Sequence, residues 1–229
     1  MGLYKYEELQ SLPFSSGDFS QTPRITTPLH FSLEKLPETN VTLFPVHDSS
    51  VVPKALKQVI CDEFNHIIDE GKTYPYVEVM EVDEFVDFWF KHFVAILIET
   101  RSEIESQYEF LDQLGNQNDI DFWRDRFLGN FYVKPNYIGR SSHICNAGFV
   151  VNHQKRGLGL GKELGKKYLV WGPQLGYLYS VFNLVYETNI ASVKIWDSLG
   201  FDRIGYVKGS GILKGEDKPV GAIVFGKDF

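Results

Sequence analysis

Apolar residues recur along the chain at two spacings, which predict helices and strands respectively. A spacing of three to four residues, as at Leu56, Val59 and Ile60, is typical of an amphipathic helix, whereas an alternating or unbroken apolar run is typical of a strand. The helical spacing marks four segments: one that follows Val52 and ends at Gly71 and Pro75, one over residues 82–92, one after the glycines near residue 160 that ends at Gly172-Pro173, and one over residues 189–201.

The last of these helices carries a boundary signal at each end. Asn189 is a residue type that caps helix N-termini, and Gly200 is the type that follows helix C-termini. Strongly β-forming runs separate the helices, at residues 41–48, 93–100, 126–137, 141–151, 179–187, 203–209 and 222–228. The order β–α–α–β–β–β–α–β–α–β–β predicts a mixed α/β sandwich without internal repeats.

The N-terminal segment differs from this pattern. Residues 1–39 are polar, with four prolines spread through Ser/Thr-rich sequence, and we expect a loosely ordered arm over residues 1–40 and a single folded domain over residues 41–229. Residues 101–119 are charged and rich in Gln and Asn, so they are expected at the surface.

Composition and charge limit the kinds of molecule that the protein is expected to bind. A net charge of −7 and a pI near 5.4 argue against nucleic acid, and no stretch approaches the ~20 apolar residues that span a bilayer, so no membrane partner is expected. Two cysteines, Cys61 and Cys145, are expected to be buried free thiols in a reducing compartment. We expect a cytoplasmic protein, with a mitochondrial address left open. The histidines and cysteines lack metal-ligand spacing, so no metal is expected.

Residues 156–161, Arg-Gly-Leu-Gly-Leu-Gly, join a predicted strand to a predicted helix. They do not form a Walker loop, because Gly161-Lys162 is followed by Glu163, and they do not form a dinucleotide fingerprint, because its third glycine is missing. Glycines without a Cβ let consecutive backbone N–H groups converge on an anion, and the following helix adds its positive end. Together with nearby lysines, this predicts a loop for a small polyanion.

This loop, the strand before it and the "N-x-x-S…W-x-x-x-G-F" pattern that begins at Asn189 resemble the Gcn5-related N-acetyltransferase (GNAT) superfamily. The resemblance implies an α/β (α+β) fold with a mixed, mostly antiparallel sheet whose central strands splay apart. It also implies acetyl-CoA as cosubstrate. The implied cofactor-binding residues are Phe149, Val151, Arg156, Gly157, Leu158, Gly159, Leu160, Gly161, Lys162 and Asn189.

From about residue 41 onward, segments such as "FYVKPNY", "SHICNAGF" and "AIVFGKD" further resemble fungal N-acetyltransferases that detoxify azetidine-2-carboxylate. This resemblance implies acetylation of the ring nitrogen of a small cyclic imino acid, either azetidine-2-carboxylate, a proline-related compound or a species derived from pyrroline-5-carboxylate. It implies direct attack in a ternary complex and a role in detoxification and oxidative-stress tolerance. Asn146 and Asn183 are implied to bind substrate, and Asn183 and Asn189 to act in catalysis.

The residue types and their positions also support the substrate-binding roles of Asn146 and Asn183. Asn183 is the single amide in the apolar strand "YSVFNLVYE", and an amide buried in a sheet needs hydrogen-bond partners. Neutral amides such as Asn146 and Asn183 can hold a carboxylate without full charge pairing. Asn189 has an equally good explanation as a helix cap, Glu187 is a candidate base, and Tyr74 and Tyr76 are candidate walls of the acceptor pocket.

One position departs from the superfamily pattern. Many members have a Tyr near the place of Trp196 that protonates the departing thiolate, but an indole N–H is only a donor and cannot act as an acid. Two alternatives therefore stay open. One is a GNAT enzyme that acetylates another small amine or a protein amine, and the other is a non-catalytic module that binds acetyl-CoA. Free strand edges and aromatic-rich helices favour a homodimer.

Overall fold

The computed structural model describes residues 25–115 and 118–229, and a single mixed sheet organises them. Its strands lie in the order β1-β2-β3-β4-β5-β6-β8-β7. The strands are β1 Leu29–Leu33, β2 Leu36–Val46, β3 Phe93–Glu99, β4 Phe127–Pro135, β5 Ile144–Val151, β6 Tyr179–Tyr186, β7 Asp202–Gly211 and β8 Val220–Asp228. The helices are α1 Lys54–Glu70, α2 Val82–Trp89, α3 Ile120–Arg126, α4 Leu160–Gln174 and α5 Ile190–Ser198.

All neighbouring strands are antiparallel except β5 and β6. These two strands are parallel, and their register contains only two pairs, Ile144 with Tyr179 and Cys145 with Ser180. Beyond these pairs the strands separate and leave a gap in the middle of the sheet. The predicted mixed sheet with splayed central strands is therefore confirmed.

Two apolar cores cover the two faces of the sheet. Alternate residues of β3 point to opposite faces, so that Ile96 contacts one core and Leu97 the other. Helices α1, α2 and α3 supply the first core, which is rich in aromatic side chains such as Phe64 and Trp89. Helices α4 and α5 supply the second, which includes Trp171 and Trp196. Phe85 and Trp89 of α2 are buried in the first core, and Phe88 packs against it.

Several helix boundaries agree with the local signals. Gly71 ends α1 in the left-handed region at φ 63°, and Asn189 caps α5 by accepting a hydrogen bond from the Ser192 N–H. Helix α4, however, continues through Pro173 to Gln174, so its predicted end at Gly172-Pro173 is wrong. A proline in the last turn removes only one intrahelical hydrogen bond, and Leu175 still donates to the Trp171 carbonyl.

The predicted arm is ordered over part of its length. Strand β1 pairs with β2, and β2 itself begins at Leu36, before the expected boundary at residue 41. Leu29, Phe31 and Leu33 alternate with polar residues and face the core, but this alternation covers only five residues within polar, proline-containing sequence. The expectation for residues 1–24 lies outside the described residues. The segment 101–119 is also not purely surface, since Leu111 and Leu114 are buried.

None of the helices within residues 25–115 and 118–229 has the length and apolar content of a bilayer span.

Candidate active site

The gap between β5 and β6 exposes backbone groups of β5. The Asn136 N–H donates to the Ile144 carbonyl and the Asn152 N–H donates to the Leu128 carbonyl, so even-numbered residues of β5 direct their peptide groups toward β4. Peptide groups alternate along a strand, and those of odd-numbered residues therefore face the gap. Phe149 is one such residue. Its N–H and C=O, like those of the other odd positions, can pair with an extended ligand as an added strand would.

Aromatic side chains line this gap. The Trp196 ring lies 4.5 Å from the Phe182 ring centroid and 5.0 Å from that of Phe149. The Trp196 indole donates to the Ser192 hydroxyl at 2.8 Å, so its only N–H is already committed inside α5. From the other face, the Tyr74 hydroxyl donates to the Phe149 carbonyl at 3.1 Å. The backbone groups of the predicted site residues Phe149 and Val151 thus face the gap. The carbonyl of Phe149 already accepts the hydrogen bond from Tyr74.

The glycine loop, residues 156–161, lies between β5 and the first turn of α4. Gly157 and Gly159 both have φ of 83°, in the left-handed region that favours glycine. The space around the position of a Gly157 Cβ is open within 4 Å, and a Cβ on Gly161 would lie 3.0 Å from the Ile195 side chain. Leu160 is buried and anchors the first turn of α4. The backbone amides at this helix start, without Cβ obstruction, fit the phosphates of a cofactor.

Charged side chains surround this loop, and two of their contacts could not be read from the sequence. The Arg156 guanidinium forms a bidentate pair with Glu70 at 2.6 and 2.8 Å, which raises the pKa of Arg156 and lowers the pKa of Glu70. The ammonium of Lys35, in the turn between β1 and β2, donates to the Gly157 carbonyl at 2.8 Å. Lys162 lies exposed in the first turn of α4.

These contacts refine the predicted cofactor site. Gly157, Leu158, Gly159, Leu160, Gly161 and Lys162 form one continuous loop and helix start. Arg156 borders that loop, but the carboxylate of α1 already holds its guanidinium. Lys35 was missed because it lies in the segment expected to be a loose arm.

The three predicted asparagines take different positions. Asn146 lies just beyond the last pair of β5 and β6, and its side-chain amide donates to the Val181 carbonyl across the gap at 2.8 Å. Asn183 forms two side-chain hydrogen bonds with Asn136, at 3.2 and 2.6 Å. Asn189 caps α5. Asn136, which sequence analysis did not single out, therefore joins the predicted pair at the point where the strands separate.

Asn183 is exposed rather than buried within its strand, contrary to the expectation. The register of β6 against β8 shifts between Phe182 and Val185. This irregularity turns Asn183 and Leu184 outward. Strand alternation alone could not reveal it. Glu187, the candidate base, accepts hydrogen bonds from the Gly221 N–H and the Tyr206 hydroxyl.

An aromatic wall lies on the α1/α2 face of the sheet, beside Asn146. It contains Tyr74, Tyr76, Phe88 and Tyr132, and Gly148 leaves the room that the hydroxyl of Tyr74 and the ring of Tyr132 occupy. Burial raises the pKa of Tyr74 and of Tyr132, so both hydroxyls stay protonated at neutral pH. These tyrosines can donate hydrogen bonds but cannot serve as bases there.

Comparison with known proteins connects this geometry to a family. Residues 97–201, from within β3 to the residue before β7, match the model of the acetyltransferase (GNAT) family. The chain is 41% identical over 161 residues to N-acetyltransferase aca1 of Schizosaccharomyces pombe, which covers 70% of this chain and 74% of that protein. It is 32% identical to Protein SPT10 of Saccharomyces cerevisiae over 90% of this chain, but spans only 37% of that protein.

Solved structures share the fold at lower identity. A GCN5-related N-acetyltransferase from Kribbella flavida superposes with a TM-score of 0.63 at 23% identity, over 82% of this chain and 98% of that one. The putative acetyltransferase yncA from Salmonella typhimurium, solved with its cofactor acetyl-CoA, gives a TM-score of 0.57 at 14% identity, over 81% and 93% of the two chains. The chain belongs to the acetyltransferase (GNAT) family and is an acetyl-CoA-dependent N-acetyltransferase.

Proposed function

We propose that the enzyme acetylates the ring nitrogen of a small cyclic imino acid such as azetidine-2-carboxylate, a proline-related compound or a species derived from pyrroline-5-carboxylate. The observation that carries this proposal is the group of three amides at the point where β5 and β6 separate, formed by Asn136, Asn146 and Asn183. Side-chain amides donate to carboxylate oxygens without adding a formal charge. A carboxylate would exchange the Asn136–Asn183 hydrogen bonds for its own.

The proposed reaction is direct attack in a ternary complex. The neutral ring nitrogen attacks the thioester carbonyl carbon and forms the C–N bond, which gives a tetrahedral oxyanion. The C–S bond then breaks, the thiolate leaves, and the nitrogen loses its remaining proton to water or to a base. A secondary amine with a pKa of about 10 is only about one part in a thousand neutral at pH 7, so its proton must first pass to a base or to water. The β5 backbone N–H groups that face the gap would stabilise the developing oxyanion.

In this proposal the odd-numbered residues of β5 hold the pantetheine arm, and the glycine loop holds the pyrophosphate. Asn183 and Asn189 keep their proposed catalytic roles. Trp196 does not protonate the thiolate, because its indole N–H is bonded to Ser192 and an indole does not ionise usefully. Water, or a group positioned by Asn189, supplies that proton.

The test is the release of free CoA thiol with azetidine-2-carboxylate as acceptor. We expect turnover by the wild type and a fall in kcat/KM of at least about tenfold in Asn146→Ala and in Asn183→Ala, equivalent to about 1.4 kcal/mol of transition-state stabilisation. Asn40→Ala is the matched control, since Asn40 is an exposed amide with one side-chain hydrogen bond, from Ser32, on β2.

A polyamine is the competing acceptor, because a net charge of −7 favours a cationic ligand. Turnover of spermidine without turnover of any imino acid would replace this proposal with that alternative. Tight acetyl-CoA binding without turnover of any amine would contradict both.

We also propose that the enzyme is a homodimer. Strand β7 lies at an edge of the sheet and exposes Ile204, Tyr206 and Val207, which are 45–55% accessible. Light scattering would distinguish a particle of twice 26.3 kDa from a monomer of 26.3 kDa, and the monomer mass would contradict the proposal.

A further inference from the structure

A lysine without an acidic partner lies on the acceptor side of the sheet. Lys134, near the end of β4, is only partly accessible, and in the part of the chain that the structure describes no carboxylate forms an ion pair with it. Its ammonium instead lies 5.1 Å from the ring centroid of Tyr132 and 5.6 Å from that of Phe88. These aromatic faces attract a cation but do not neutralise its charge.

Lys134 lies between the aromatic wall and the three asparagine side chains. Lys134 pairs directly with Asn146 in the register of β4 and β5, and this is one of the even-numbered, hydrogen-bonded pairs. Paired residues of this kind have Cα atoms about 5.5 Å apart and direct their side chains to the same face. Asn136, two residues further along, continues this row to its partner Asn183.

The electrostatic surroundings of Lys134 favour an anion. Burial, and then the nearby charge of Lys91, lower the pKa of Lys134. His92 adds no charge at neutral pH, because burial, Lys134 and Lys91 lower its pKa to about 4. A partly buried cation that has no opposite charge beside it in the protein is stabilised when a ligand supplies one.

We infer that Lys134 binds the carboxylate of the acceptor and thereby sets the specificity of the enzyme for amines that carry an adjacent acid group. This inference rests on the proposed function and gives it a charged contact that the amides lack. Lys134 supplies the charge and the row of Asn136, Asn146 and Asn183 supplies directional hydrogen bonds, while Phe88 and Tyr132 cover the apolar ring. The same ammonium repels a polyamine, so it acts against that alternative acceptor.

The experiment compares two acceptors that differ only in the carboxylate, azetidine-2-carboxylate and azetidine. It uses the wild type, Lys134→Met, Lys134→Arg and the control Lys54→Met, because Lys54 is an exposed lysine at the start of α1. We expect Lys134→Met to raise KM for the acid by about thirtyfold or more and to change KM for azetidine by less than about threefold. Lys134→Arg should recover part of the loss, and Lys54→Met should match the wild type.

Calorimetric binding of acetyl-CoA to each variant provides a readout that is independent of turnover. An unchanged affinity in Lys134→Met shows that the fold and the cofactor site are intact. An equal effect of Lys134→Met on both acceptors, or no effect on either, would overturn the inference while leaving the proposed function in place.

Failure of the proposed function gives a different result. If the wild type acetylates neither ring, the imino-acid proposal falls, and the inference is judged by calorimetric binding of azetidine-2-carboxylate to the CoA-loaded protein. Binding that is lost in Lys134→Met supports an acid-binding site, whereas absence of binding to the wild type overturns it.

Discussion

At the scale of the residue, Trp196 shows how one substitution changes the chemistry available to the site. Its ring packs against Phe149 of β5 and Phe182 of β6, beside the gap between these strands, and its N–H is used within α5. A tyrosine hydroxyl at the same place could give up a proton, whereas the indole cannot. The aromatic ring therefore contributes packing and shape rather than proton transfer.

Trp196→Phe should therefore leave kcat within about threefold of the wild type. It keeps an aromatic ring against Phe149 and Phe182 but loses the hydrogen bond to Ser192, so the free energy of unfolding should fall by about 1 kcal/mol. Steady-state kinetics and urea denaturation measure the two quantities. A hundredfold fall in kcat with the fold intact would mean that the indole takes part in the reaction, and Trp196→Tyr tests whether an added acid raises kcat.

At the scale of the element, the glycine loop places two demands on its sequence. Gly157 must adopt a left-handed conformation, and it must also leave open space beside the loop. The first demand concerns folding and the second concerns the phosphates of the cofactor. Gly215, in the turn between β7 and β8, has almost the same φ of 84° and is equally open, but it lies outside the loop.

This pair of glycines allows the two demands to be separated. Gly157→Ala and Gly215→Ala should each lower the free energy of unfolding by about 1–2 kcal/mol, because alanine is strained in the left-handed region. Only Gly157→Ala should weaken acetyl-CoA binding, by about tenfold or more, since its methyl group enters the space of the phosphates. Calorimetry gives the affinities. Equal affinities in the two variants would contradict phosphate binding at this loop.

Element boundaries that depend on the residue type at the boundary could be predicted from the sequence. Features that depend on pairing with a neighbouring strand could not. Gly71 and Asn189 carry their boundary signals in their own residue types, and the structure confirms both. Strand β1 carries only five alternating residues in a polar, proline-containing segment, and its order depends on pairing with β2. The shift in β6 that exposes Asn183 is likewise set by the register with β8.

At the scale of the whole molecule, contacts between distant segments assemble the candidate site. Arg156 meets Glu70 across 86 residues, and Asn136 meets Asn183 across 47. The family pattern identifies the loop and three asparagines because they belong to local motifs. Lys35 and Lys134 carry no motif of their own, and only the assembled sheet places Lys35 at the loop and Lys134 beside Asn146.

Burial of ionisable groups throughout the two cores predicts how the stability of the whole molecule depends on pH. Burial raises the pKa of Cys61 to about 11 and that of Cys145 to about 12, from an ordinary value of 9.0. The pKa of Tyr74, of Tyr132 and of Tyr168 is raised as well. In each case the unfolded chain loses its proton at a lower pH than the folded protein does.

The sign of the effect follows from proton linkage. Between pH 9 and about pH 11 the folded state binds more protons than the unfolded state, so stability falls as the pH rises, by up to about 1.4 kcal/mol per pH unit for each group. We expect urea denaturation to show a constant contribution from these groups below pH 8 and a loss of at least about 2 kcal/mol between pH 8.5 and pH 10.5. Cys61→Ala should reduce that slope, because it removes one titrating thiol. A free energy of unfolding that stays constant up to pH 10.5 would show that the native thiols and phenols ionise as readily as those of the unfolded chain, and that the cores admit water.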